Sequence, residues 1–184
     1  MQEIASTHAN RRTFLKIGFF GITSAILAHP LLAAAGSEHR ILNLVNLHTG
    51  ESLATAYRSN GKLIHRAVDR ISHLMRDHRT GEIMPVDPDL LDQLHHIVNR
   101  IKPREPINII SGYRSPRTNE ALRKITPGVA SDSLHMEGRA IDIRIPGCAT
   151  KALYRIAVDL NAGGVGYYSR SRFVHLDTGP ARVW

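Results

Sequence analysis

The chain has 184 residues, 42% of them hydrophobic and 22% charged, with a formal net charge of +8. That balance excludes global disorder and leaves enough chain for one domain with a core of its own. The single cysteine, Cys148, excludes an intrachain disulfide, and without a basic run interleaved with aromatics or a helix-turn-helix pattern nucleic acid is not an expected partner.

Residues 1–35 read as a targeting segment outside the fold. Asn10-Arg11-Arg12-Thr13-Phe14-Leu15-Lys16 is a twin-arginine signature. The apolar run of residues 17–32 is broken by Gly18, Gly21, Thr23, Ser24, His29 and Pro30, and is short and mild for a membrane span of about 20 residues. Ala33-Ala34-Ala35 supplies small residues for cleavage. The expectation is a cleaved signal peptide, export by the twin-arginine (Tat) machinery to the periplasm, no stable membrane anchor, and a folded domain over 36–184. Removing Arg11, Arg12, Lys16 and Glu3 leaves that domain basic, so an acidic polymer of the cell envelope is the expected polyanion.

Residues 41–47 and 51–57 read as two strands joined at His48-Thr49-Gly50, a hairpin connection. Leu63, Ala67, Ile71 and Leu74 recur at helical spacing, which predicts a helix over 62–78. Its His65, His73 and His78 lie among arginines and read as surface residues. Asp87-Pro88-Asp89 combines a cap, a first-turn proline and an acidic first turn, and opens a second helix that Pro103 ends. The adjacent His95 and His96 on it point about 100° apart and do not share a metal easily. Residues 107–110 form a short buried strand that leads into Ser111-Gly112-Tyr113-Arg114. Ser115-Pro116 starts a short helix to about Lys124, and Thr126-Pro127-Gly128 opens a loop to Ser131. Thr150 caps a helix to Leu160. Gly163, Gly164 and Gly166 either make the bend that follows or admit close backbone approach to a ligand; the bend is the simpler reading. Residues 165–168 and the strand bearing His175 form a hairpin through Ser169-Arg170-Ser171.

Two stretches carry chemistry. In Arg139-Ala140-Ile141-Asp142-Ile143-Arg144-Ile145 the isoleucines share one strand face and Ala140, Asp142 and Arg144 the other. A carboxylate among isoleucines is costly to bury without a positive partner. In residues 172–177, Val174 and Leu176 oppose Phe173, His175 and Asp177. If the two strands are neighbours, Asp142 and His175 converge, and His135 sits just before the first strand with Gly138 turning the chain between them. Two histidines and a carboxylate leave one tetrahedral position open for water, the arrangement of a catalytic zinc. The alternative from the residues alone is an ion pair of Asp142 with Arg139 or Arg144, with the histidines hydrogen-bonded or at the surface.

The string Ser-x-His-x-x-Gly-x-Ala-x-Asp from Ser133 to Asp142, the later Val-His-Leu-Asp around His175, and the upstream Ser-Gly-Tyr-Arg at 111–114 together resemble the D-Ala-D-Ala metallopeptidase superfamily, and within it the MepK type of murein endopeptidase. The motifs cover the second half of the chain in the right order, which is far more specific than any one of them. The resemblance implies an α+β, Hedgehog/DD-peptidase-like fold with a small antiparallel sheet and helices packed on one side. It implies Zn2+ held by His135, Asp142 and His175. Arg114 would stabilise the oxyanion or hold a substrate oxygen, and Ser133 would join it in binding substrate. The implied activity is periplasmic, zinc-dependent hydrolysis of peptidoglycan cross-links, leaning to the L,D 3–3 type. A D,D-carboxypeptidase or dipeptidase and a non-catalytic cell-wall-binding module are the alternatives. The chain departs from the family at the general base. Where relatives carry Glu or a second His, it has Arg172 and Phe173. Asp177 is the candidate, as base or as orienting partner of a ligand; Glu137 is the other local carboxylate.

Overall fold

A computed structural model describes residues 38–184; the twin-arginine segment lies outside them. The elements are β1 (His39–Asn46), β2 (Ser52–Ser59), β3 (Lys62–Leu63), α1 (His65–Leu74), α2 (Pro88–Ile101), β4 (Ile107–Ser111), α3 (Pro116–Ile125), β5 (Ala140–Arg144), α4 (Thr150–Leu160), β6 (Gly164–Tyr168), β7 (Phe173–Asp177) and β8 (Arg182–Val183), with a 3-10 turn at Leu134–Glu137 before β5.

The α+β class is as expected, but the sheet is not small and antiparallel. It has eight strands in the order β3-β2-β1-β4-β5-β7-β6-β8 and is mixed. β1 and β2 form the anticipated antiparallel hairpin. The chain then crosses through α1 and α2 and returns, so that β4 enters parallel to β1, as a connection of that length permits. β4–β5, β5–β7 and β6–β7 are antiparallel. β8, unforeseen in the sequence, lies parallel to β6. Two residues of β-type are too few to give a periodic signal.

The apolar face of the sheet carries Leu42, Leu44, Ile107, Ile109, Ile141, Ile143, Val174 and Leu176, all buried. These form one core cluster with Ile71 and Leu74 of α1, Leu90, Leu94 and Ile97 of α2, and Leu153 and Ala157 of α4. α3 supplies nothing to that cluster; its Leu122 lines the cleft on the other face. Side-chain alternation in β5 and β7 follows the sequence reading, with the isoleucines in the core and the polar residues on the cleft face.

Helix α1 is shorter at both ends than the apolar spacing predicts. Lys62 and Leu63 pair with β2 instead. At the other end the Leu74 carbonyl accepts from Asn46 Nδ2 at 2.8 Å, and the Met75 carbonyl accepts from the Tyr113 amide. The last carbonyls of α1 are therefore satisfied by other elements and the helix stops there. The Asp87 cap of α2 is as expected, its carboxylate accepting from the Asp89 amide. For α4 the capping position is Ala149 and not Thr150, and no side chain caps it. Among the described residues no helix is long and apolar enough to cross a membrane.

Candidate metal centre

Asp142 and His175 are direct cross-strand partners in the β5–β7 ladder. Both side chains emerge on the cleft face because each sits one residue from core-facing isoleucine, valine or leucine. His135 comes from the 3-10 turn. That turn closes at Gly138 with φ 69°, a left-handed conformation that suits glycine. The Cβ of any other residue there would also fall 2.3 Å from the Pro85 carbonyl oxygen.

The three side chains meet. His175 Nδ1 lies 2.9 Å from Asp142 Oδ1, His135 Nε2 3.2 Å from His175 Nδ1, and His135 Nε2 3.3 Å from Asp142 Oδ1. All three residues are buried. The outer ring nitrogens are also engaged. His135 Nδ1 donates to the Gly112 carbonyl at 2.7 Å, and His175 Nε2 donates to Asp177 Oδ2 at 3.1 Å. His135 Nε2 and His175 Nδ1 are therefore the nitrogens that face Asp142 and one another, the pair an ion would take once His175 Nδ1 gives up its proton. Donors about 2.0–2.1 Å from a tetrahedral zinc sit about 3.3 Å from one another, and the observed separations are close to that. The set of two imidazoles and one carboxylate fits zinc by chemistry as well.

Burial lowers the pKa of His135, outweighing the adjacent Asp142. For His175 burial acts in the same direction, but its hydrogen bonds to Asp142 and Asp177 prevail and raise it. Burial pushes the Asp142 carboxyl up; the two imidazoles against it hold it far below the usual range. Asp142 is thus an anion at neutral pH, as a ligand must be.

The positive partner of Asp142 is Arg114, whose Nη2 donates to Oδ2 at 2.7 Å. Neither alternative arginine fills that place. Arg139 binds Thr178 and Glu137, and Arg144 binds the carbonyls of Ser171 and Arg172. Arg114 Nε donates to Ser111 Oγ at 2.9 Å, and Ser111 stands opposite Asp142 in the β4–β5 ladder. The loop that aims Arg114 is pressed onto α1: a Cβ on Gly112 would fall 2.4 Å from the Met75 carbonyl oxygen.

Asp177 is fully buried. Its Oδ1 accepts from the amides of Gly164 and Gly179, and both oxygens accept from Arg182, at 3.1 and 2.7 Å. Burial pushes its carboxyl up, and His175, Arg182 and the two amides hold it well below the usual range. Glu137 is exposed and paired with Arg139 at 3.0 Å. Ser133 is half-buried at the start of the 3-10 turn and lines the cleft.

The cleft holds about 540 Å³. Tyr168, Phe173 and Trp184 line it, together with Thr126, Pro127, Gly128 and Leu134. Phe173 and Tyr168 stack at 4.4 Å, and the Trp184 indole donates to Tyr168 Oη at 3.2 Å. Trp184 also lies against His175, ring centroids 5.2 Å apart. Arg182 and Trp184 escaped the sequence reading because nothing local marks residues 178–184; only the pairing of β8 with β6 brings them to the site. The glycines read there as a bend have another reason. A Cβ on Gly164 would lie 2.4 Å from Asp177 Oδ2, and one on Gly166 2.7 Å from the Trp184 ring. They admit the protein's own side chains.

Comparison with known proteins gives the family. Residues 34–184 match the M15 peptidase family model described as "Peptidoglycan L,D-endopeptidase MepK". The Escherichia coli (strain K12) protein of that name is 44% identical over 177 residues, covering 96% of this chain and 97% of the relative. The Shigella flexneri protein of that name gives the same figures. The Haemophilus influenzae "Probable peptidoglycan L,D-endopeptidase MepK" is 37% identical over 177 residues, 95% of each chain. With its His-Asp-His cluster, its arginine-flanked cleft and this match along nearly its whole length, the chain belongs to the M15 metallopeptidase family, as a MepK-type endopeptidase.

Proposed function

We propose that this protein is a zinc-dependent peptidoglycan L,D-endopeptidase that hydrolyses 3–3 cross-links in the periplasm after export by the twin-arginine route. The observation that carries the reading is the convergence of His135 Nε2, Asp142 Oδ1 and His175 Nδ1 to within hydrogen-bond distance of one another. The names of the relatives support the substrate, and Asn10-Arg11-Arg12-Thr13-Phe14-Leu15-Lys16 supports the route. Residues 1–35 act as the signal peptide and 36–184 as the peptidase domain.

His135, Asp142 and His175 would hold the zinc. A bound zinc ion supplies Lewis acidity, which activates water and polarises an amide carbonyl. Arg114 keeps its guanidinium at the mouth of the cluster, held by Ser111, where it stabilises negative charge developing on the attacked carbonyl oxygen. Ser133 and Arg114 flank the entering peptide. Asp177 takes the orienting role of the two open to it. Its oxygens are saturated by Arg182 and two amides and it is shut off from the cleft water, so it fixes His175 and does not collect the proton of the attacking water. The aromatic wall of Tyr168, Phe173 and Trp184 excludes water from one side and gives aliphatic peptide stems a surface to lie on.

The test is to incubate purified protein with muropeptides carrying 3–3 or 4–3 cross-links, with and without chelator. The expected result is chelator-sensitive loss of 3–3 dimers, and its absence from His135→Ala. Release of a terminal residue from uncross-linked peptides alone would make it a carboxypeptidase; binding to murein with no cleavage would make it a binding module.

A further inference from the structure

We propose that Arg182 is a positioning residue of the metal centre, and that β8, by delivering it to Asp177, sets how tightly His135, Asp142 and His175 hold a divalent ion. The inference rests on the metal reading above and adds residues that lie outside the ligand set.

Asp177 Oδ2 is shared between two donors, Arg182 Nη2 at 2.7 Å and His175 Nε2 at 3.1 Å. The second prong of the guanidinium, Nη1, reaches Oδ1 at 3.1 Å and also donates to the Pro180 carbonyl. A two-pronged contact fixes a carboxylate in plane as well as in position. The carboxylate in turn fixes the imidazole ring and keeps its proton on Nε2, and that leaves Nδ1 to face His135 and Asp142. A metal-binding histidine whose outer nitrogen loses such support binds its ion more weakly.

The backbone is shaped around this pair. A Cβ on Gly164 would lie 2.6 Å from Arg182 Nη1, and one on Gly179 3.0 Å from both Arg182 Nη1 and Asp177 Oδ1. On Gly163 it would fall 1.8 Å from the Asp177 carbonyl oxygen. Gly164 and Gly179 thus clear the space in which guanidinium and carboxylate meet, and Gly163 admits the Asp177 backbone behind it. The same strand seats Trp184 on His175, with Gly166 cleared beneath it. Arg182 is held over the Trp184 ring at 5.0 Å, so the strand packs as a unit against one ligand. A surface arginine paired for solubility alone would need none of this clearance.

The experiment compares the full-length chain with Arg182→Met and Arg182→Lys. Zinc affinity is measured by competition with a chromophoric chelator. The His175 Nε2–H proton of the metal-free protein is followed in long-range proton–nitrogen NMR spectra, and folding by the melting curve without metal. Arg182→Met is expected to bind zinc about 10-fold or more weakly and to lose the protected Nε2–H signal, with Arg182→Lys in between. A lowered metal-free melting temperature with unchanged zinc affinity and Nε2–H signal would overturn the proposal, since Arg182 would then serve the fold alone. Should Arg182→Met not fold, Arg182→Lys decides: it keeps the charge without the fork, and wild-type affinity and Nε2–H signal in it overturn the proposal. If the wild-type chain binds no zinc, the metal reading fails, and the Nε2–H comparison still decides whether Arg182 governs His175.

Discussion

Asp177 and Arg114 are both charged residues at the cleft, yet their surroundings give them different work. Asp177 is enclosed and accepts from every side. Its replacement by Asn removes the charge that Arg182 meets and turns an amide toward His175. Asp177→Asn is expected to weaken zinc binding by about 10–100-fold, read by chelator competition; zinc binding at wild-type strength with turnover lost would instead make Asp177 the base. Arg114 lies at the mouth, with its side chain 15% exposed, free to meet a substrate on one side while Ser111 and Asp142 hold it on the other. Arg114→Ala is expected to keep the zinc and lower kcat by about 10²–10³-fold, the usual effect of removing an oxyanion donor.

At the scale of elements, the cleft is assembled by contacts between segments far apart in sequence. Asp77, just beyond α1, is buried and accepts from the amide and hydroxyl of Ser115 and from the Arg79 amide. It thereby joins the end of α1 to the start of α3 and frames the loop that carries Arg114. Burial pushes the Asp77 carboxyl up, and these bonds with one from Thr118 hold it well below the usual range. A carboxyl depressed in the folded state contributes stability above its unfolded pKa of about 3.9, and loses it as pH falls towards the folded value. Asp77→Asn is expected to cost about 1–3 kcal/mol at neutral pH, and the gap from wild type in urea unfolding should narrow as pH drops below about 4. A gap that stays constant with pH would remove Asp77 from that role. Gly166 tests the seating of Trp184, the only tryptophan in the chain. Gly166→Ala should displace the indole and shift its emission; an unchanged spectrum would show that Trp184 is not held there.

At the scale of the whole molecule, the sheet brings the two halves of the site together across its centre. β4, β5 and β7 lie side by side, so Ser111, Asp142 and His175 share one face while Ile109, Ile143 and Val174 anchor the same strands in the core. Metal bound at that junction stabilises the entire domain by mass action. With free zinc at about 100 times the Kd the gain is about 2.7 kcal/mol, so chelator should lower the melting temperature of the wild type and leave that of His135→Ala unchanged. Equal melting with and without zinc would argue against a site in this junction.

Local pattern determined much of this protein. The alternation in residues 139–145 and 172–177 marks two strands with an oily face and a chemical face, and the spacing from His135 to Asp142 is carried within one turn and one strand. The α2 cap and the β6–β7 hairpin are equally local, because capping and turn residues act within a few positions. Long-range pairing decided the rest. Whether Asp142 would pair with Arg139, Arg144 or Arg114 depended on which loop the sheet brought opposite it, and Ser111 of β4 brought Arg114. The parallel placement of β4 on β1 and β8 on β6 turned the expected small antiparallel sheet into a mixed one of eight strands. Arg182, Trp184 and the purpose of Gly164 and Gly166 became visible only through that last pairing, since close approach between segments leaves no periodic mark in either of them.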